Sequence, residues 1–192
     1  NPIVRLQFIH WKNNSDAMKK KHSELHGIKK LWAPWRMKYI EQIDTVNKYN
    51  CIFCDKPKEH DDEKNHIIHR SNASYIILNV YPYNNGHIMV VPYKHTNELT
   101  HLDAETKLEL LDMAILGMEV IKKTMSPDGF NLGVNFGRVA GAGIDEHLHI
   151  HLVPRWNGDT NFMPVIGCTK VISESLEDTF RKLRKGIENM MR

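Results

Sequence analysis

The sequence predicts an α+β fold with antiparallel strand pairing, and three observations carry that prediction. Two β-prone runs, Tyr75-Ile76-Ile77-Leu78-Asn79-Val80 and His87-Ile88-Met89-Val90-Val91-Pro92, flank the turn-forming segment Tyr81-Pro82-Tyr83-Asn84-Asn85-Gly86, as in a hairpin. A long stretch from Asp103 to Met125 carries apolar residues at helical spacing. Two further β-prone runs follow it, Phe130-Asn131-Leu132-Gly133-Val134-Asn135 and residues 147–153. Strand pairs interrupted by a single helix indicate an antiparallel sheet rather than a parallel, alternating one.

Each element follows from local chemistry. Residues 1–17 show no clear period, and Met18-Lys19-Lys20-Lys21 looks like a translation start. Residues 1–30 are therefore assigned to an N-terminal arm, its first part foreign to the natural chain, and residues 31–192 to one domain. Leu31-Trp32-Ala33-Pro34-Trp35-Arg36 is aromatic enough to be a strap on the core. Residues 51–70 alternate in charge around a loop at Glu59-His60-Asp61-Asp62-Glu63-Lys64. In the long helix Asp103 serves as cap, and Leu111, Ala114, Ile115, Met118 and Ile121 are expected to form the core face. Pro127-Asp128-Gly129 ends it. A final amphipathic helix runs from Ser173 to about Met190, with Leu176, Phe180, Leu183 and Ile187 on one face.

Composition narrows the class. The chain has 192 residues, of which 41% are apolar, enough for a sizeable core. A net charge of +3 is too mild to mark a nucleic-acid binder, and suits a small anionic substrate. Three cysteines, Cys51, Cys54 and Cys168, argue against a secreted disulfide scaffold. With neither a membrane-spanning run nor a signal-like leader, the protein is expected in the cytoplasm.

The most informative stretch is His147-Leu148-His149-Ile150-His151-Leu152-Val153. Strand side chains alternate, so three imidazoles face one way while Leu148, Ile150 and Leu152 face the core. Three imidazoles on one face are compatible with a metal site having an open position, or with a nucleophile flanked by anion-positioning groups. Just upstream, Gly137-Arg138-Val139-Ala140-Gly141-Ala142-Gly143 lets backbone N–H groups approach phosphate oxygens, which favours phosphoryl chemistry. Arg155 and Trp156 follow directly; an arginine there can pair with phosphate, and a tryptophan can stack on a base or pack an interface. Cys51 and Cys54 read as half of a metal site, and local spacing offers His66 and His69 to complete it.

Residues 147–153 resemble the signature of the histidine-triad (HIT) family, His-φ-His-φ-His-φ-φ with φ apolar. Asn79, the Asn85-Gly86-His87 turn and Val90-Val91-Pro92 match the family's upstream hairpin. The similarity runs from about residue 31 to 170, and residues 78–87 with Pro154-Arg155-Trp156 resemble the bacterial diadenosine-tetraphosphate phosphorylase branch. The resemblance implies a five-stranded antiparallel sheet with one long central helix and a C-terminal helix. It implies cleavage of dinucleoside polyphosphates, with His149 attacking an α-phosphorus to form a covalent nucleotidyl-histidine that water or phosphate resolves.

In that scheme a backbone carbonyl near His147 holds the His149 Nδ1–H, and His151 bonds the phosphate or leaving-group oxygen. Asn79 bonds the ribose, Asn135 lies near the α-phosphate, and His87 supports the site. Gly143 and Ile144 offer backbone donors, since the 141–144 turn has neither Gln nor Ser. The resemblance also offers a second metal set: His95 and His147 with Cys51 and Cys54. This set is favoured here, as a structural zinc, with no organic cofactor and Cys168 left as an ordinary thiol. A homodimer is expected, with a nucleotide as partner and neither membrane nor nucleic acid. The competing functions are a nucleotide sensor with little turnover, a nucleoside phosphoramidase, and a zinc-finger module that binds nucleic acid.

Overall fold

The computed structural model describes residues 51–161, 166 and 171–192; the arm, the aromatic strap and Cys168 lie outside them. In chain order the described elements are α1 (Ile52–Asp55), α2 (Asp62–Asn65), β1 (Ile67–Arg70), β2 (Ser74–Leu78), β3 (Ile88–Pro92), α3 (Ala104–Met125), β4 (Gly129–Val134), β5 (Ile150–Arg155) and α4 (Leu176–Met190). The strands form a five-stranded sheet in the order β1-β2-β3-β5-β4, every neighbour antiparallel. The last strand in sequence thus sits inside the sheet, with His151 opposite Met89 of β3 on one side and Gly133 of β4 on the other.

Alternation divides the sheet into two faces. Ile76, Leu78, Ile88, Val90, Ile150 and Leu152 pack with Leu110, Met113, Ala114, Val120 and Ile121 of α3 and with Phe180, Leu183 and Ile187 of α4. Tyr75, Ile77, Met89 and Val91 point the other way and form a smaller cluster with Phe53 and Ile67. The helices cover one face, so His151 of β5 and His149 just before it are presented on the other.

Asp103 caps α3 as expected, and Ser175, which sequence reasoning did not single out, caps α4. The Asp103 carboxylate accepts the Thr106 N–H at 2.7 Å, and the Ser175 hydroxyl accepts the Asp178 N–H at 3.1 Å. Between β2 and β3, Gly86 holds φ +71°, and a Cβ there would lie 2.7 Å from the Met125 sulfur.

Four expectations need correction. The core face of α3 is rotated from the one predicted: Leu110, Met113, Gly117 and Val120 join Ala114 and Ile121 in facing the core, while Leu111 and Ile115 are each 52% exposed. The physical reason is Gly117, where a Cβ would stand 2.6 Å from Ile88 Cδ1; a residue without a side chain marks the closest helix–sheet approach and hides the stripe from a hydrophobic count. Strand β5 begins at Ile150 rather than His147, because the preceding backbone turns to the loop after β3, Leu148 N–H donating to Thr96 C=O at 2.6 Å. The other strand and helix ends move by up to three residues, the most at the start of α4, which begins at Leu176 rather than Ser173. Finally, β1 lies within the stretch read as charged and loop-bearing; Ile67-Ile68 is too short a run to announce a strand.

Gly186 gives a test of the two-helix layer. A Cβ at this position would meet Val120 Cγ2 at 2.5 Å and Thr124 Cγ2 at 2.8 Å. Thr124 cannot rotate away freely, since its hydroxyl donates to the Val120 C=O at 2.7 Å. Gly186→Ala should gain up to about 1 kcal/mol of helix propensity but lose about 1–3 kcal/mol to overpacking. The expected outcome is a lower urea midpoint with an unchanged turnover number, because the helix layer lies across the sheet from the histidines.

Candidate functional site

The three histidines of the triad are all buried, at 1%, 5% and 9% exposure for His147, His149 and His151. A buried imidazole needs partners for its nitrogens, and here each ring finds different ones. The His149 Nδ1–H donates to the backbone carbonyl of His147 at 2.8 Å. That bond places the proton on Nδ1 and leaves Nε2 as the nitrogen with a free lone pair. Burial pushes the His149 pKa below the ordinary histidine value, with the carbonyl bond opposing it. The ring is therefore neutral near pH 7, and a neutral imidazole is nucleophilic. Phe53 packs against it at 5.0 Å between centroids, and His151 meets it edge-on at 4.8 Å.

The protonation of His151 follows from a chain of hydrogen bonds. The Tyr83 backbone N–H donates to His87 Nδ1 at 3.0 Å, so Nδ1 must be the unprotonated nitrogen of His87. A neutral His87 then carries its proton on Nε2, which donates to His151 Nδ1 at 3.0 Å. His151 in turn is protonated on Nε2. His149, just before β5, and His151 within it thus hold opposite tautomers, His149 with a nucleophilic Nε2 and His151 with an acidic one, both set by backbone groups. Tyr83 also covers the pair, its ring 4.6 Å from His87 and 5.6 Å from His151.

His147 faces a different set of neighbours. Its Nε2–H donates to the Pro92 carbonyl at 2.8 Å, which turns Nδ1 toward Cys51 Sγ at 3.2 Å, Cys54 Sγ at 3.5 Å and His95 Nδ1 at 3.3 Å. Cys54 Sγ lies 3.3 Å from His95 Nδ1, and all four ligand atoms fall within 4.8 Å of one another. A tetrahedron with zinc–sulfur and zinc–nitrogen bonds of about 2.3 and 2.0 Å has edges of roughly 3.3–3.8 Å, so the donor set fits. Burial and the neighbouring Cys51 raise the Cys54 thiol to about 11, and burial lowers His147 to about 4. Both groups favour their neutral forms, and a divalent cation would displace the thiol protons and take the imidazole lone pair. These four residues can hold a metal. His66 is not among them; its ring packs on Phe180 of α4 at 5.9 Å.

The remaining residues singled out in the sequence fall around this centre. Asn79 Nδ2 stands 3.3 Å from His87 Nδ1, and its Oδ1 accepts the Tyr81 N–H at 2.9 Å. Asn135 Nδ2 donates to the Gly141 carbonyl at 3.4 Å, tying β4 to the glycine-rich turn. Gly143 is half-buried in that turn, and Ile144 packs on the cluster of Phe53 and Tyr75. The Arg155 guanidinium, expected to pair with phosphate, here donates twice to Asp159, at 2.6 and 2.8 Å, and once to Asn131 Oδ1 at 2.8 Å. Trp156 N–H donates to Asp159 at 3.1 Å.

Sequence reasoning missed Phe53, Tyr83 and Asp159. Phe53 sits between the two cysteines, and only its burial under the triad gives it a role. Tyr83 acts through its backbone, which no side-chain pattern records.

Comparison with known proteins agrees with this geometry. A model of the HIT domain matches residues 60–158. AP-4-A phosphorylase of Mycobacterium tuberculosis is 41% identical over 162 residues, covering 81% of this chain and 83% of that protein. Among solved structures, a hypothetical histidine triad nucleotide-binding protein from Sulfolobus tokodaii superposes with a TM-score of 0.61 at 31% identity, over 74% of this chain and 95% of its own. A zinc-bound histidine triad family protein from Mycobacterium smegmatis gives 0.60 at 24% identity, over 76% and 98%, a likeness of fold. The sheet with its long central and C-terminal helices, the matched domain and the histidine row together make this chain a member of the HIT family.

Proposed function

We propose that this chain is a diadenosine-tetraphosphate phosphorylase working through a nucleotidyl-histidine at His149. The observation that carries the reading is the His149 Nδ1–H bond to the His147 carbonyl, which dedicates Nε2 to attack; the 41% identity to AP-4-A phosphorylase supplies the substrate. In the first step Nε2 bonds to an α-phosphorus, the bond from that phosphorus to its bridging oxygen breaks, and ATP leaves. His151, protonated on Nε2, hydrogen-bonds the departing oxygen. In the second step a phosphate oxygen attacks the same phosphorus, the phosphorus–nitrogen bond breaks, and ADP leaves. Splitting one displacement into two lowers each barrier, and most of the catalysis is positioning and charge stabilisation.

Around the reacting atoms, Asn79 bonds the ribose, and Asn135 with backbone N–H groups of Gly143 and Ile144 receives the phosphate. Trp156 stacks on a base, while Arg155, its charge neutralised by the two-pronged pair with Asp159, closes the loop after β5 that carries Trp156. His147 binds a structural zinc with Cys51, Cys54 and His95. These four residues would hold the ion with no position left for substrate, and it would supply rigidity to the carbonyl that holds His149. Two free thiols in this set suit a reducing compartment, the cytoplasm. Among the described residues no helix is long and apolar enough to cross a membrane.

A second copy of the chain is the partner proposed for the exposed face of α3. Leu108, Leu111 and Ile115 recur at helical spacing with 61%, 52% and 52% exposure. Leu132 of the edge strand β4, 47% exposed, pairs with Leu152 and so lies on the same side of the sheet. An apolar helix stripe beside an unpaired strand edge suits a two-fold contact that extends the sheet.

Four experiments test this. Incubated with diadenosine tetraphosphate, the protein should release ADP and ATP only when phosphate is added; AMP formed in water alone would show a hydrolase instead. His149→Ala should lower the rate by about 10⁴-fold or more, and a rapid acid quench of the parent should trap label on that histidine. Metal analysis should find stoichiometric zinc, and its removal by a chelator, or His95→Ala, should lower the melting temperature together with the turnover number. Sedimentation should give a dimer that Leu111→Glu converts to monomer.

A further inference from the structure

Asp159 lies outside the triad, the glycine-rich turn and the metal cluster, yet it gathers more hydrogen bonds than its surface loop requires. Its carboxylate, 9% exposed, accepts from Arg155 Nε at 2.6 Å, Arg155 Nη2 at 2.8 Å, Trp156 N–H at 3.1 Å and Asn84 Nδ2 at 2.8 Å. Charge-assisted bonds of this kind, with a two-pronged arginine among them, are the strong members of their class. Three of them close the loop that follows β5. The fourth reaches 75 residues back along the chain, to the turn between β2 and β3.

That turn sets the tautomer of the acid. Asn84 Nδ2 also donates to the Pro154 carbonyl at 3.0 Å, so its side chain is held at two points on the end of β5. The Asn84 carbonyl accepts the His87 backbone N–H at 3.2 Å. The residue before it, Tyr83, supplies the N–H that occupies His87 Nδ1. Moving the Tyr83 N–H, part of the 82–83 peptide, out of place would leave the longer 3.3 Å contact from Asn79 Nδ2 on His87 Nδ1 and ease a shift of the proton to that nitrogen. His87 Nε2 would then no longer donate to His151, and His151 could carry its proton on the nitrogen that faces away from the reaction.

We propose that Asp159 is a positioning residue for the leaving-group step: it anchors Asn84, and through the Tyr83 N–H it keeps His87 and His151 both protonated on Nε2. The inference rests on the assignment of His151 as the proton donor. Its consequence is selective. A substrate whose leaving group must be protonated depends on Asp159, whereas one whose leaving group departs as a stable anion does not.

The test compares two adenylyl donors in the whole protein. Adenosine 5′-phosphoramidate loses ammonia, which needs a proton; the p-nitrophenyl ester of AMP loses p-nitrophenolate, which needs none. In Asp159→Asn, kcat on the amidate should fall about 10²-fold, the low end of what general acid catalysis supplies, while kcat on the ester changes by less than about threefold. Asn84→Ala should show the same split, since it cuts the same link at the other end. Long-range ¹⁵N–¹H spectra of histidine-labelled protein should show His87 and His151 as Nε2–H in the parent and as tautomer mixtures in both variants.

Equal losses on the two donors, unchanged tautomers, or loss of the native fold in both variants would each overturn the proposal and make Asp159 a plain structural anchor. A parent protein inert toward both donors would instead remove the His149 and His151 assignment on which it stands.

Discussion

One hydrogen bond, from His149 Nδ1–H to the carbonyl two residues before it, organises the chemistry of this protein. A free imidazole exchanges its proton between two nitrogens and turns about its bonds to the chain. Here a fixed acceptor removes both freedoms, and burial keeps the ring neutral by raising the cost of the charged form. The acceptor belongs to His147, whose own ring is tied through Nε2 to Pro92 and through Nδ1 to the cysteine and histidine cluster. The His149 ring therefore inherits its orientation from a residue anchored on three sides.

The same logic explains why the site lies across the sheet from the long helices. Polar rings and thiols cannot share the apolar layer formed by α3 and α4 without leaving nitrogens unsatisfied. On the opposite face, Phe53, Tyr75 and Met89 supply a smaller apolar floor, and the histidines are paired among themselves or with backbone carbonyls. The stability of the fold comes mainly from one face, and the reactive groups occupy the other.

Opposite tautomers on His149 and His151, at the start of β5, give a base and an acid from the same kind of side chain. A carbonyl acceptor makes the first, and an amide donor, relayed through His87, makes the second. Neither requires an ionised partner in the site, which leaves the local field free to favour an anionic substrate.

Sequence alone determined the elements with strong local signals. The hairpin turn, the Asp103 cap and the apolar face of α4 are legible because turn chemistry, capping and periodicity act over a few residues. The histidine row was legible too, since alternation along a strand places residues 147, 149 and 151 on one side. The four metal-binding candidates could be named, but spacing left His66 and His69 open as rivals, and only the fold brings His95 and His147 within reach of Cys51 and Cys54.

The tertiary structure decided the rest. It set the rotation of α3, because the closest contact falls at a glycine that contributes no hydrophobic signal. It engaged Arg155 with Asp159, and it made Phe53 and Tyr83 part of the site. These are contacts between segments distant in the chain, several of them through backbone atoms, and such contacts leave no trace in the identity of any single side chain.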